Sequence, residues 1–214
     1  RTGNERGDEV DDAVIPSNDV FVKHVIGLAY NQSLLNNRMQ NTFFLKDYVN
    51  HLKIEQTDLY FITGSKAMAG SNTQNSLGGG LGTRFEVAPS LAVKASYEHS
   101  VRLPLARELL GNGTTIYANT ALKPEESNNL NVGVFGTFRN GLHSLYYEAN
   151  GFLRYVDNYI QPTISDDEGY LQYTNQPAVR IKGLEGEVRY DWNKRLQVVA
   201  NISWQDARDR QEFK

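Results

Sequence analysis

Residues 100–138 read SVRLPLARELLGNGTTIYANTALKPEESNNLNVGVFGTF, and how this stretch is read decides the fold. At its far end Leu130, Val132, Val134 and Phe138 fall at alternate positions, with Asn131, Gly133 and Thr137 between them. A period of two puts successive side chains on opposite sides of a strand, so this run predicts a strand with one apolar face. The stretch opens on the end of another such run. There Leu91, Val93, Ala95 and Tyr97 alternate with Lys94, Ser96, Glu98, Ser100 and Arg102. The long connection between the two carries a short helical turn, predicted over Pro104 to Leu110, with proline at its start and Gly111 as its stop.

The alternation continues in both directions. Upstream, His24, Ile26, Leu28 and Tyr30 share one side of a strand over Val20 to Asn31, and Met39 to Tyr48 returns after a turn at Ser33 to Arg38. Phe43-Phe44-Leu45 interrupts the period of that second strand. Leu77, Leu81, Phe85 and Val87 then oppose Arg84 and Glu86. Downstream, Leu145, Tyr147, Ala149, Leu153 and Tyr155 alternate with Tyr146, Glu148, Asn150 and Arg154. Leu184, Val188 and Tyr190 oppose Glu185, Glu187 and Arg189, and Leu196 to Trp204 repeats the pattern against Gln197, Asn201 and Ser203. The chain is therefore read as all-β, an antiparallel up-and-down meander of about eight strands.

The connections alternate in length. Short turns fall near 32–38, 88–90, 139–142 and 191–194, the third marked by the hairpin signal Asn140-Gly141. Long loops are expected at 49–75, 102–126 and 157–178. Strands of about ten residues, with short turns at one end and long loops at the other, describe an outer-membrane β-barrel. Tyr190 and Trp192 beside a short turn, and Tyr155 and Tyr159 beside a long loop, suit its two aromatic girdles. Alternation does not say which face is inside. A soluble small-molecule-binding β-barrel, or a passive outer-membrane pore, gives the same pattern.

Composition narrows the field. Among 214 residues there is no Cys, which removes disulfides and thiolate metal sites. A net charge of −3 without a basic stripe argues against nucleic acid as a partner. No run of about 18 apolar residues offers a membrane helix. The negative mean hydropathy is no objection to a barrel, whose strands alternate. His24, His51, His99 and His143 are scattered without metal-ligand spacing, and no Ser-His-Asp set sits in a nucleophile elbow. No catalytic residue, metal site or cofactor is expected. Gly78-Gly-Gly-Leu-Gly82 lacks the Lys-Ser/Thr ending of a phosphate loop and reads as relief of crowding in a curved wall.

Arg102, Pro104, Glu108, Leu109 and Gly111, followed by Asn119, Leu122, Lys123, Pro124, Glu125 and Ser127, form an ordered pair of motifs, R-x-P…E-L…G and N-x-x-L-K-P-E-x-S. Together they closely resemble the TonB-dependent receptors of bacterial outer membranes, where they join neighbouring barrel strands through an extracellular loop. Gly183-Leu-Glu-Gly-Glu187 is similar to a G-x-E-x-E strand start common in those barrels. The resemblance implies a Gram-negative outer-membrane location and a barrel of about 22 strands around a plug. It implies binding and TonB-coupled import of a scarce nutrient (siderophore, haem, cobalamin or glycan) without enzymatic chemistry. The expected partners are the receptor's own plug domain, the TonB complex, a small-molecule or oligosaccharide ligand, and outer-membrane lipid.

On this reading residues 1–18 are a polar loop remnant, 19–207 a partial receptor barrel and 208–214 the start of another loop. No plug, TonB box or terminal aromatic strand is seen, so an internal piece is expected, able to self-associate through open strand edges. Ligand contacts are expected on the central loop at Arg107, Glu108, Asn112 and Tyr117. Glu185, Glu187 and Arg189 are expected to face the lumen and meet the plug.

Overall fold

The computed structural model of the chain describes residues 20–54, 70–112, 115–164 and 170–209. The expected remnant at 1–18 lies outside the described residues, as does most of 208–214. Among the described residues nine strands form a single sheet. They are β1 (Val20–Leu34), β2 (Met39–Ile54), β3 (Gly70–Ala88), β4 (Leu91–Arg102), β5 (Ile116–Tyr117), β6 (Glu125–Asn140), β7 (His143–Ile164), β8 (Leu171–Trp192) and β9 (Leu196–Asp209). Among the described residues a five-residue helix, α1 (Ala106–Leu110), interrupts them. The eight long strands pair antiparallel in chain order, as expected, and the two-residue β5 pairs parallel with β8. Among the described residues β1 and β9 each keep an unpaired edge, so the sheet is open.

Register separates the two faces cleanly. One row crosses six strands as Phe85, Val93, Val134, Ala149, Gly186 and Ile202. The next row, one residue along, reads Arg84, Lys94, Gly133, Asn150, Glu185 and Ser203. The apolar face is the open one: Ile26, Leu28, Leu77 and Ile202 are each more than 70% exposed. A soluble carrier would bury this set inside; here it forms the outer surface.

Short turns close one end. Leu35, Asn36 and Asn37 take positive φ between β1 and β2, and Asn193 and Lys194 do so between β8 and β9. Between β6 and β7 the two-residue turn is Gly141-Leu142, one position later than the Asn-Gly signal centres it, with Gly141 at φ +57°. The β3–β4 turn follows a register shift between Glu86 and Ala88. The Arg38 guanidinium fastens that irregularity, donating to the carbonyls of Glu86 and Val87 at 3.1 Å each.

At the other end the loops at 49–75 and 157–178 are shorter than expected. The ladders of β2 and β3 run on through Ile54 and Gly70, and those of β7 and β8 through Ile164 and Leu171. At about 3.3 Å per residue, the 22-residue β7 and β8 extend about 70 Å, far more than a tilted span needs. Above the apolar band both faces of such a strand meet polar surroundings. The hydrophobic period then vanishes while backbone pairing continues, which is why polar sequence was read as loop.

The Gly78–Gly82 run shows what the glycines provide. A Cβ at Gly80 would lie 2.7 Å from the Phe44 ring and 2.5 Å from the Tyr97 carbonyl oxygen. The space there takes the Phe44 ring, beside which Lys46, on β2, crosses β3 to reach Glu98 on β4 at 3.4 Å. The same device recurs at Gly133, over which Lys94 on β4 reaches Glu148 on β7 at 2.6 Å. Glycine on the middle strand lets charged pairs span two strand spacings on the polar face.

Candidate functional site

The connection between β4 and β6 does not stand away from the sheet. It folds over the polar face and is fixed at both ends and in the middle. Pro104 is fully buried just ahead of α1, and Leu105 supplies the carbonyl that accepts from the Leu109 amide at 3.1 Å. Gly111, at φ +69°, ends the helix, and a Cβ there would be 2.2 Å from the Ile116 carbonyl oxygen. Asn112 then accepts from the amides of Thr115 and Ile116 at 2.9 and 2.8 Å, turning the chain into β5.

Around the base of this segment sits an ion cluster. Arg102 donates through Nε and Nη2 to the two oxygens of Glu125, both at 2.8 Å, in the bidentate geometry that guanidinium favours. Its Nη1 reaches both oxygens of Glu108 at 3.1 Å. Glu108 is 5% exposed and also accepts from the Leu105 amide at 2.8 Å, tying the start of α1 to its own third residue. Glu125 further accepts from the Ile160 amide at 2.7 Å, so the cluster grips β7. The Glu125 bond, with both carboxylates nearby, raises the Arg102 pKa above its already high value.

Above the ions lies the apolar packing. Leu52 of β2, Leu109, Leu122 and Ile160 of β7 form one buried cluster, with Phe21, Leu110 and Tyr173 against it. Leu52 and Ile160 stand on strands four places apart in the sheet order. Their meeting through two loop leucines means that the polar face is concave here. Polar bonds then fix the segment along β8: Asn119 donates to the Tyr173 carbonyl at 2.8 Å, and Asn175 exchanges bonds with the Lys123 backbone at 2.9 and 3.0 Å. On the opposite side Gln74 of β3 donates to the Leu122 carbonyl at 3.1 Å. β3 and β4 pair only as far as Gly79 and His99, and the segment fills the gap where they part.

The four loop residues expected to meet ligand are thus unequal. Arg107 is exposed on α1; Asn112 and Tyr117 are half-buried; Glu108 is sealed beneath the helix. Tyr117 stacks on Tyr170 with ring centroids 4.3 Å apart. Glu185, Glu187 and Arg189 share the polar face lower down, but their partners were not anticipated. Arg189 pairs with Glu187 at 2.5 Å and lies over the Tyr146 ring at 5.4 Å, while the Tyr146 hydroxyl donates to Glu148. Glu185 borders a concavity of about 520 Å³ shared with Arg84, Lys94, Asn131 and Asn150. Sequence reasoning left out Lys94 and Glu148 because their pairing spans three strands. Arg102 and Glu125 were visible as motif letters without a role.

Among the described residues no His, Asp or Glu group has the arrangement of a metal site. His51 bonds Thr73 and His143 bonds Tyr190, at 2.8 and 2.6 Å. No described helix is long and apolar enough to cross a membrane, which leaves crossing by strands untouched.

A meander with an exposed apolar face, a concave polar face, short turns at one end and a folded-in loop at the other is the wall of an outer-membrane β-barrel. The family described as TonB dependent receptor-like, beta-barrel matches residues 48–213, and the chain belongs to it. None of the curated proteins matches the sequence. Among solved structures the copper transporter OprC superimposes with a TM-score of 0.72 at 19% identity, over 91% of this chain and 30% of its own. The hemophore receptor HasR of Serratia marcescens, a double mutant bound to its hemophore HasA and heme, gives 0.64 at 17%, over 87% and 34%. The FrpB iron transporter from Neisseria meningitidis gives 0.63 at 12%, over 89% and 26%. The chain thus spans about a third or less of each of these structures, and at such identities the likeness is one of fold.

Proposed function

We propose that the chain is part of the barrel of a receptor that binds a scarce nutrient at the cell surface and imports it with TonB-coupled energy. The ligand classes are a siderophore, haem, cobalamin or a glycan. The observation that carries this reading is the 103–124 segment, braced by Arg102, Glu108 and Glu125 across the mouth of the concave polar face. A receptor needs a fixed surface on which ligand-contacting side chains stand, and such a brace supplies one. Arg107, Asn112 and Tyr117 present that surface, and Glu108 acts by holding α1 in place. Glu185, Glu187 and Arg189 face the lumen and contact the plug, so the chain's chemistry is recognition rather than catalysis. The outer membrane of a Gram-negative cell is its location, and its strand edges close against further barrel strands.

The two faces are tested by neighbouring residues in the intact receptor. Ile202→Arg should cost about 2 kcal/mol in a lipid refolding titration, while Ser203→Arg should stay within about 0.5 kcal/mol, because only the first places charge in lipid. Equal costs would remove the membrane orientation. Recognition is tested separately, by ligand-dependent growth of cells carrying Arg107→Ala, Asn112→Ala and Tyr117→Ala together. Growth on every candidate nutrient as for the parent would place ligand contacts elsewhere. Reversing Glu185 and Glu187 to Arg, with uptake and plug stability unchanged, would do the same for the plug contact.

A further inference from the structure

Three stretches that come together at the loop end of the wall carry no charge. They are 115–122 of the folded-in segment, 159–164 of β7 and 170–178 at the start of β8, and none holds Asp, Glu, Lys, Arg or His. Farther down, β7 carries Glu148, Arg154 and Asp157, and β8 carries Arg180, Lys182 and Glu185. The β7–β8 ladder sorts the side chains of the uncharged part into two faces. Ile160, Tyr173 and Asn175 share the one on which the segment packs. Gln161, Thr163, Gln172 and Thr174 share the other, where the two threonine hydroxyls bond at 2.9 Å. Because β7 takes one edge of β8, β5 lies along the other edge and extends this second face. Tyr117 pairs in register with Gln172, whose amide donates to the Ala118 carbonyl at 3.0 Å. The Tyr117 and Tyr170 rings, stacked with 23° between their planes, thus stand on the same face as the amides of Gln161 and Gln172.

This face has unspent hydrogen-bonding capacity and no charge of its own. Among the described residues the Gln161 side chain makes no bond and the Gln172 Oε1 accepts none. An amide both donates and accepts, as a hydroxyl does, so the two match a ligand rich in hydroxyls. The tyrosine pair supplies a flat apolar surface already fixed by its own stacking, suited to the C–H face of a pyranose ring. An anionic ligand finds nothing comparable. Along the lower border Arg180 stands among two carboxylates, Asp157 and its register partner Glu126. Arg107 and Lys123 belong to parts of the segment that pack on the first face, through Leu109 and Asn175. The sequence between β7 and β8 adds Asp166, Asp167 and Glu168 without a cation. A carboxylate or phosphate held here would lose water without gaining a counter-charge.

We infer that this face binds a neutral oligosaccharide, with a pyranose ring on the Tyr117–Tyr170 pair and its hydroxyls on the Gln161 and Gln172 amides. The inference rests on the proposed import reading and narrows its ligand to a glycan nutrient. It adds Tyr170, Gln161 and Gln172 to the ligand-contacting side chains.

The test is saturation-transfer NMR on the intact receptor in a detergent without a sugar headgroup. Maltohexaose, cellohexaose and mannohexaose are the neutral probes, with haemin and cyanocobalamin for comparison. At least one hexasaccharide is expected to bind. Tyr170→Ala should weaken it about tenfold, and Tyr170→Phe, which keeps the ring, should bind as the parent does. Gln161→Ala breaks no side-chain bond within the described protein and should weaken the sugar about fivefold. Growth on that sugar as sole carbon source should fall in the same order. Absence of binding by all three hexasaccharides, or binding untouched by Tyr170→Ala and Gln161→Ala, overturns the inference. So does binding of haemin or cyanocobalamin that these variants abolish. A sugar that binds while the variants leave growth on it unaltered gives the face to the cell's own surface polysaccharide and overturns the nutrient assignment. Failure of the import reading has a different mark, since deleting the receptor then alters growth on no nutrient at all. A deletion that costs growth on haemin or a ferric siderophore, with no sugar bound, removes only the present inference.

Discussion

Leu122→Ala is expected to free the folded-in segment from the sheet at a cost of about 3–5 kcal/mol. Leu122 is wholly buried and joins Leu109 to Leu52 and Ile160, so its loss opens a cavity between two distant parts of the wall. The surroundings cannot collapse to fill it, because β2 and β7 are each held in register by their own neighbours. The cost should therefore fall on the segment and not on the sheet. Amide exchange is the measurement: protection at Gly111 and Asn119, whose amides bond the carbonyls of Arg107 and Leu109, should fall by at least about a hundredfold. Amides within the β6–β7 and β7–β8 ladders should keep their rates. The half-buried Leu110→Ala is the control and should have a much smaller effect. Unchanged exchange at Gly111 and Asn119 in Leu122→Ala would show that the segment is held by its polar bonds alone.

Arg102→Ala is expected to have the second largest effect, about 2–3 kcal/mol. Removing one member of a buried pair leaves the other charge uncompensated, which commonly costs about 3–5 kcal/mol. The lower figure applies because the Arg102 side chain is 41% exposed and water can reach part of the vacated space. The stranded groups are Glu108 and Glu125, whose side chains are only 6% and 12% exposed. This account makes a sharper claim about combinations. Glu108→Gln in the Arg102→Ala background should recover part of the loss, since it removes one uncompensated charge and leaves an acceptor for the Leu105 amide. Arg102→Lys should recover less than half, because a single ammonium cannot serve Glu125 bidentately and Glu108 together. Proteolysis within 103–124, measured as a function of denaturant, reports both. If the double variant is no better than Arg102→Ala, the penalty arises from lost packing and not from a stranded carboxylate.

On the proposed function these effects bear on import, because that reading puts the ligand-contacting side chains on this segment. A loosened segment should weaken ligand binding through ordering entropy even where Arg107 and Tyr117 are intact. Mutations at Leu122 or Arg102 and mutations at Arg107 should therefore be separable: the first group raises local exchange, the second leaves it unchanged.

Much of the fold was determined by the sequence alone. A side-chain period of two is a local property, visible wherever one face meets an apolar medium and the other does not. It identified the eight long strands, the short turns and, outside the Phe43-Phe44-Leu45 interruption of β2, the phase of both faces, down to Glu185, Glu187 and Arg189 opposite Leu184 and Val188. The helical turn followed from Pro104 and Gly111, which act through their own backbone. The ordered letters from Arg102 to Ser127 fixed the family.

Tertiary structure decided the rest. Strand lengths beyond the apolar band depend on backbone pairing, which leaves no trace in polarity once both faces are polar, so β2, β3, β7 and β8 outran their pattern. The pairing of Lys94 with Glu148 depends on the glycine between them and on register across three strands. Above all, the sequence showed Arg102, Glu108 and Glu125 as separate motif letters of a loop, with Glu108 open to ligand. Only when curvature brings β2 and β7 toward one another does that loop find a concave face to fill. Glu108 is then buried, because the arginine that neutralises it and the helix that covers it are assembled by the same fold.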